Sequence, residues 1–126
     1  GITAREIQAI SAAANGDNML DRIEAEAYAE MFAENREQPF ITSLKGALGE
    51  SFSGGGLRAC ALALSLAEGA LPPVCGLQKP IMPLSFVQGQ KKEVAIKHAL
   101  LAGISFGGTY AYLIFSNYSS GEDEQK

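Results

Sequence analysis

Apolar positions change their period several times along the 126-residue chain, and each change marks an element. Thr3 and Glu6 have capping-box spacing and open a helical turn. Ile7 to Ala14 is then small and apolar throughout, the pattern of a buried strand. Asn15-Gly16-Asp17-Asn18 has the composition of a turn. From Asp21 to about Glu34 the period is helical. Leu20, Ile23, Ala27 and Met31 share one face there, while Glu24, Glu26, Glu30 and Glu34 point mostly outward. Gln38-Pro39 breaks the connection, and Phe40 to Ser43 reads as a short strand. A second helix runs from about Ser53 to Glu68. Its positions Leu57, Cys60, Ala61 and Leu64 share one face; Ala59, Leu62, Ala63 and Leu66 occupy others. Only Arg58, Ser65 and Glu68 are strongly polar, so the helix is apolar nearly all round and should be buried on more than one side.

Pro72-Pro73 end that helix, and the segment to Pro83 is loop-like. Leu84 to Val87 suggests a short strand, and Gln88 to Lys97 is polar and basic, the mark of a solvated loop. Two β runs close the pattern, His98–Ile104 and Thr109–Ser116, joined by Ser105-Phe106-Gly107-Gly108. Tyr110, Tyr112 and Phe115 suit a strand. Alternating strand and helix periods predict an α/β class, a mixed β-sheet with helices packed on it. Its strands are expected near Ala9–Ala13, Phe40–Ser43, Ala99–Ile104 and Thr109–Phe115.

The stretch from Thr42 to Ala59, TSLKGALGESFSGGGLRA, joins a strand end to the long helix through glycines. Gly46 and Gly49 permit positive φ or a close backbone approach, and Gly54, Gly55 and Gly56 allow tight packing of the helix start. Ser51 or Ser53 could cap it. Such a turn could also cradle a phosphate on exposed amides. Lys45 precedes the glycines instead of following them, which is wrong for a P-loop, so the close-packing turn is the preferred reading.

Composition changes the picture little. At 47% hydrophobic and 19% charged residues the balance is globular and excludes disorder for most of the chain. The length suits one domain, residues 1–117, followed by a polar, acidic tail, 118–126, expected to be disordered. A net charge of -4 offers no electrostatic reason to bind nucleic acid or an anionic membrane. Cys60 and Cys75 read as reduced, packed thiols. One histidine and two distant cysteines make no metal-ligand set, and nothing calls for a cofactor. His98, at a strand start, reads as a surface or capped-core residue. No apolar run approaches the roughly 18 residues of a membrane span, and the N-terminus lacks signal-peptide design. A cytoplasmic protein is expected.

The same residues carry a family resemblance. The pattern around Lys45, Gly49 and Glu50 resembles the K-S-x-x-G-H-x-x-G-A-A-G motif of β-ketoacyl synthases, condensing enzymes of the thiolase fold. G-E-S-F-S-G-G-G is closer still to the chain-length factors, the non-condensing partners of ketosynthases in type II polyketide systems. Asn15-Gly16 matches the H-G of the family's H-G-T-x-T loop, shortened here by two residues as in chain-length factors. Asp21 and Glu24 fall on the acidic positions of its L-x-D-x-x-E pattern; Phe106, Gly107, Gly108 and Thr109 match its F-G-F-G-G-T-N-A hairpin. The resemblance runs from Gly1 to about Asn117 and implies the C-terminal half of a thiolase-like fold, cut from a longer chain whose nucleophile lies upstream.

By that resemblance Asn15 and Glu50 stand where the family has its two catalytic histidines. Glu24 and Lys45 would form a buried supporting pair; from spacing alone, Asp21 and Glu24 read as solvated first-turn carboxylates. Ile104, at the position of a gating Phe, and Phe106, Gly107 and Gly108 would form the channel and active-site loop. The implied partners are a ketosynthase subunit in a heterodimer, or a second copy of the full-length protein; an acyl carrier protein; and the chain's own N-terminal half. Glu50 speaks against condensation: a carboxylate about 4 Å from the developing oxyanion costs about 4 kcal/mol at an effective dielectric of about 20. That is roughly a thousandfold in rate. The alternative is a synthase-type acyltransferase or malonyl decarboxylase in which Glu50 works with an upstream nucleophile.

Overall fold

The computed structural model describes residues 1–51, 53–105 and 107–118. Its main sheet has the order β2-β1-β5-β6, with β1 Ala9–Ser11, β2 Phe40–Thr42, β5 His98–Ser105 and β6 Thr109–Ser116. β1 pairs in parallel with β2 and β5, Ile10 lying beside Ile41 and Leu100, and β6 returns antiparallel along β5. Two long helices, α1 (Asn18–Met31) and α3 (Gly54–Glu68), cover it, and a short helix α2 (Lys45–Leu48) links β2 to α3. The mixed α/β sheet is therefore as expected, with strand ends within two residues of the anticipated ones.

Side chains alternate across the sheet into two cores. Ile10, Ile41, Leu100 and Ala102 pack with Tyr28 and Phe32 of α1. Ala9, Ala99 and Leu101 pack on the other side with Leu62 and Leu66 of α3, together with Leu71, Val87 and Ile96. A central parallel strand buried on both faces needs an unbroken apolar run, which is why β1 reads Ala-Ile-Ser within small residues. His98 is buried, its Nδ1 2.8 Å from Ser116 Oγ across the β5–β6 pair, a capped-core histidine.

Both helices are turned relative to the sequence reading. α1 begins at Asn18 because Asp17 caps it, Oδ1 accepting from the Met19 and Leu20 amides at 2.9 and 3.0 Å. Its buried residues are Glu24, Ala25 and Tyr28, while Ile23 and Met31, expected inside, are exposed. In α3 the buried stripe is Arg58, Leu62, Ser65 and Leu66, and Leu57 and Leu64 are 56% and 62% exposed. The two cysteines, expected to be packed, are exposed.

Other boundaries were also displaced. α3 ends at Gly69, left-handed at φ 64° with its amide on the Ser65 carbonyl, ahead of the prolines. Its N-cap position, Ser53, makes no side-chain cap bond. Strands β3 (Ala70–Leu71), between the expected helix and its prolines, and β4 (Lys92–Glu93), inside a segment read as a loop, pair antiparallel; two residues are too few to show a period. The strand expected at Leu84–Val87 reduces to one parallel bridge between Phe86 and Ile41. Gly46 makes the anticipated close approach, since a Cβ there would meet the Cys75 carbonyl oxygen at 2.5 Å. Gly49, at φ 79°, supplies the positive-φ turn. Phe52, Phe106 and the tail segment 119–126 lie outside the described residues.

Candidate functional site

Three connections leave the same end of the sheet: β1 to α1, β2 through α2 to α3, and β5 to β6. Ligand sites of open α/β sheets form at the carboxyl ends of the parallel strands. Here the three connections enclose a cavity of about 560 Å³. Asn15, Glu24, Lys45, Glu50, Ile104, Gly107 and Gly108 all line it, so the structure gathers these sequence-selected residues around one space. Gly107 and Gly108 sit at φ 90° and 77°, a turn that side chains rarely adopt.

The exit of β1 is held from both sides. Glu24, 4% exposed, accepts from the Ala13 and Ala14 amides at 2.7 and 2.8 Å and from the Tyr28 hydroxyl at 2.5 Å. A carboxylate that fills its lone pairs in this way can be buried without a cation. Asp21 accepts from the next two amides, Asn15 and Gly16, at 3.0 and 3.1 Å. Two acids three apart on α1 thus take four successive backbone donors, where spacing alone suggested solvated carboxylates. Burial pushes the Asp21 carboxyl up, against the pull of those two bonds. The Tyr28 hydroxyl is pushed up by burial first and then by the Glu24 charge. Asn15 turns its own Oδ1 back to the Asp17 amide at 3.0 Å, closing the loop.

The expected Glu24–Lys45 ion pair is not formed. Glu24 is taken by the amides and Tyr28, and Lys45 instead pairs with Glu50, Nζ to Oε2 at 2.5 Å. The short α2 turn brings these two side chains together locally, which is easier than reaching across to α1. Lys45 is largely screened, with 14% of its side chain exposed, while Glu50 is half exposed.

Arg58 escaped the sequence reading. One Nη2 atom donates to the carbonyls of Ser11, Ala12 and Ala102 at 2.9, 2.8 and 2.7 Å, while Nε has no partner among the described residues. Burial lowers the guanidinium's pKa, opposed by Glu24, Tyr28 and Glu50. The available signal was a lone cation in α3 on the stripe of Leu62, Ser65 and Leu66. Among the described residues no three His, Cys, Asp or Glu gather as a metal-holding group, and no helix is long and apolar enough to cross a membrane.

Residues 1–78 match the family model of the β-ketoacyl synthase C-terminal domain. A highly reducing polyketide synthase of Penicillium rubens is 28% identical over 130 residues, covering 95% of this chain and 5% of that protein. The ketoacyl synthase beta subunit of the tetracenomycin polyketide synthase of Streptomyces glaucescens is 29% identical over 116 residues, 90% of this chain and 28% of that one. Among solved structures, the ishigamide ketosynthase/chain length factor superposes with a TM-score of 0.87 at 27% identity, over 94% of this chain and 30% of that chain. The fold is accordingly thiolase-like, and the chain spans less than a third of each of these relatives.

Proposed function

This chain belongs to the β-ketoacyl synthase family, as its C-terminal domain, and from that premise we propose that it is part of a non-condensing subunit of chain-length-factor type. The observation that carries the reading is the Lys45–Glu50 ion pair at the cavity wall, where the family motif places a catalytic histidine. An ionised carboxylate only accepts hydrogen bonds, so Glu50 offers nothing to the enolate oxygen that decarboxylative condensation generates. Asn15, at the other histidine position, fixes its side-chain oxygen on its own turn; its amide can still donate a hydrogen bond but cannot take up or release a proton as an imidazole does. Supporting the same reading, the ishigamide structure is of a ketosynthase/chain length factor, and the tetracenomycin relative is a beta subunit.

In this role the subunit pairs with a catalytic ketosynthase in the cytoplasm. The cavity forms part of the chamber for an acyl chain delivered by an acyl carrier protein, with Ile104 on its wall. The test is reconstitution of the complete polypeptide with its ketosynthase and carrier protein. Product should form only when both subunits are present, and Ile104→Phe should shorten it by narrowing the chamber. Unchanged product in the absence of this subunit would overturn the assignment.

A further inference from the structure

The Arg58 guanidinium on α3 reaches the outgoing ends of two strands, β1 and β5, that lead into the cavity wall. Its contacts at Ser11 and Ala12 fall at the end of β1, immediately before the turn that carries Asn15. The contact at Ala102 falls on β5, immediately before Gly103 and Ile104 of the cavity wall. The residue is 6% exposed, so the bonds work away from water, where they are strongest. Glu24 completes the arrangement from the opposite side: Arg58 takes the carbonyls of residues 11 and 12, and Glu24 the amides of residues 13 and 14. Ala14 is carried through that junction at φ 23°, an unusual value for a residue with a Cβ.

We propose that Arg58 is a positioning residue that ties the outgoing ends of β1 and β5, and through them the loops that follow, to α3 and so fixes the width of the cavity between them. Its effect on products rests on the chain-length reading above; the tie between the loops does not. Because one atom serves both strands, the loops should loosen together when it is lost. An ordinary buried residue of α3 would disturb its own helix first.

The experiment compares Arg58→Met and Arg58→Lys in the complete polypeptide bound to its ketosynthase. Amide hydrogen exchange is followed at Ala13–Gly16 and at Gly103–Ile104, alongside the product-length distribution, with Ile104→Ala as a control on the chamber. In Arg58→Met, exchange at both loops should rise together, by about tenfold more than at the Phe32 amide that closes α1, whose exchange follows the global loss of stability. The product distribution should broaden, and Arg58→Lys should recover most of both effects. If Arg58→Met does not fold, Arg58→Lys decides alone, with a smaller joint rise at the two loops expected. Protection unchanged at both loops, loosening of one only, or loosening spread equally through α1 would overturn the proposal. Joint loosening with products unmoved by any variant, Ile104→Ala included, would leave the tie standing and refute the chain-length reading instead.

Discussion

Arg58→Met should lower folding stability by about 3 kcal/mol, read as a shift in the urea midpoint at constant slope. Nη2 carries two hydrogens, so its three carbonyl contacts share about two hydrogen bonds to a charged group, each contributing about 1.5–3 kcal/mol, and the substitution removes them all. Methionine keeps much of the side-chain volume, so cavity formation adds little. Against the loss stands the desolvation of the guanidinium, several kcal/mol for a buried ion, which the variant no longer carries. A net loss remains because the Ser11, Ala12 and Ala102 carbonyls are left without that donor, while the unpartnered Nε, a cost the variant no longer carries, keeps the loss to about this size. A loss below about 1 kcal/mol would mean that the carbonyls find other partners.

Glu24→Gln should cost about 2–4 kcal/mol, although it changes the shape of the side chain very little. Glu24 is an acceptor at both oxygens, toward two amides and a phenol. A glutamine must turn its NH₂ group toward one of those donors, leaving a buried N–H facing another. Tyr28→Phe removes a single donor and should cost about 1.5–3 kcal/mol. The double variant should lose less than the sum, because the two residues share one bond. Strict additivity in that cycle would show that Glu24 and Tyr28 do not support each other.

Much of this organisation was legible because buried parallel strands and glycine turns leave strong marks. β1, β2, β5 and β6 appear as apolar or β-branched runs, and Gly49, Gly107 and Gly108 sit where backbone geometry demands them. The same glycine turns drew attention to Lys45, Glu50 and Ile104, which the cavity brings together. Polar burial was not legible from the hydrophobic period, although the family resemblance did expect Glu24 to be buried. A hydrophobic period assigns Glu24 and Arg58 to water, and only their backbone partners reverse that, at Ala13 and Ala14 beyond β1 for Glu24 and on β1 and β5 for Arg58. The Arg58 partners lie more than forty residues away, beyond any local window, and those of Glu24, ten and eleven residues back, sit across a turn that breaks the helical period. The Glu24–Lys45 pair failed for a related reason: opposite charges suggested a bond, but backbone amides had already filled one partner. The exposed Leu57 and Leu64 show the converse, an apolar stripe that the other described residues do not cover.

The measurement that bears most directly on the central claim is malonyl decarboxylation by the purified complete polypeptide, without a ketosynthase partner. On the proposed reading, Lys45 holds Glu50 as an acceptor where condensation would need a donor, and Asn15 supplies an amide in place of a proton-exchanging imidazole. The wild type should therefore release carbon dioxide no faster than a blank containing the carrier-bound substrate alone. Glu50→His should not restore the reaction, because the first histidine would still be absent. Robust turnover by the unpartnered wild type that disappears in Glu50→Gln would contradict the account and make Glu50 a working catalytic group.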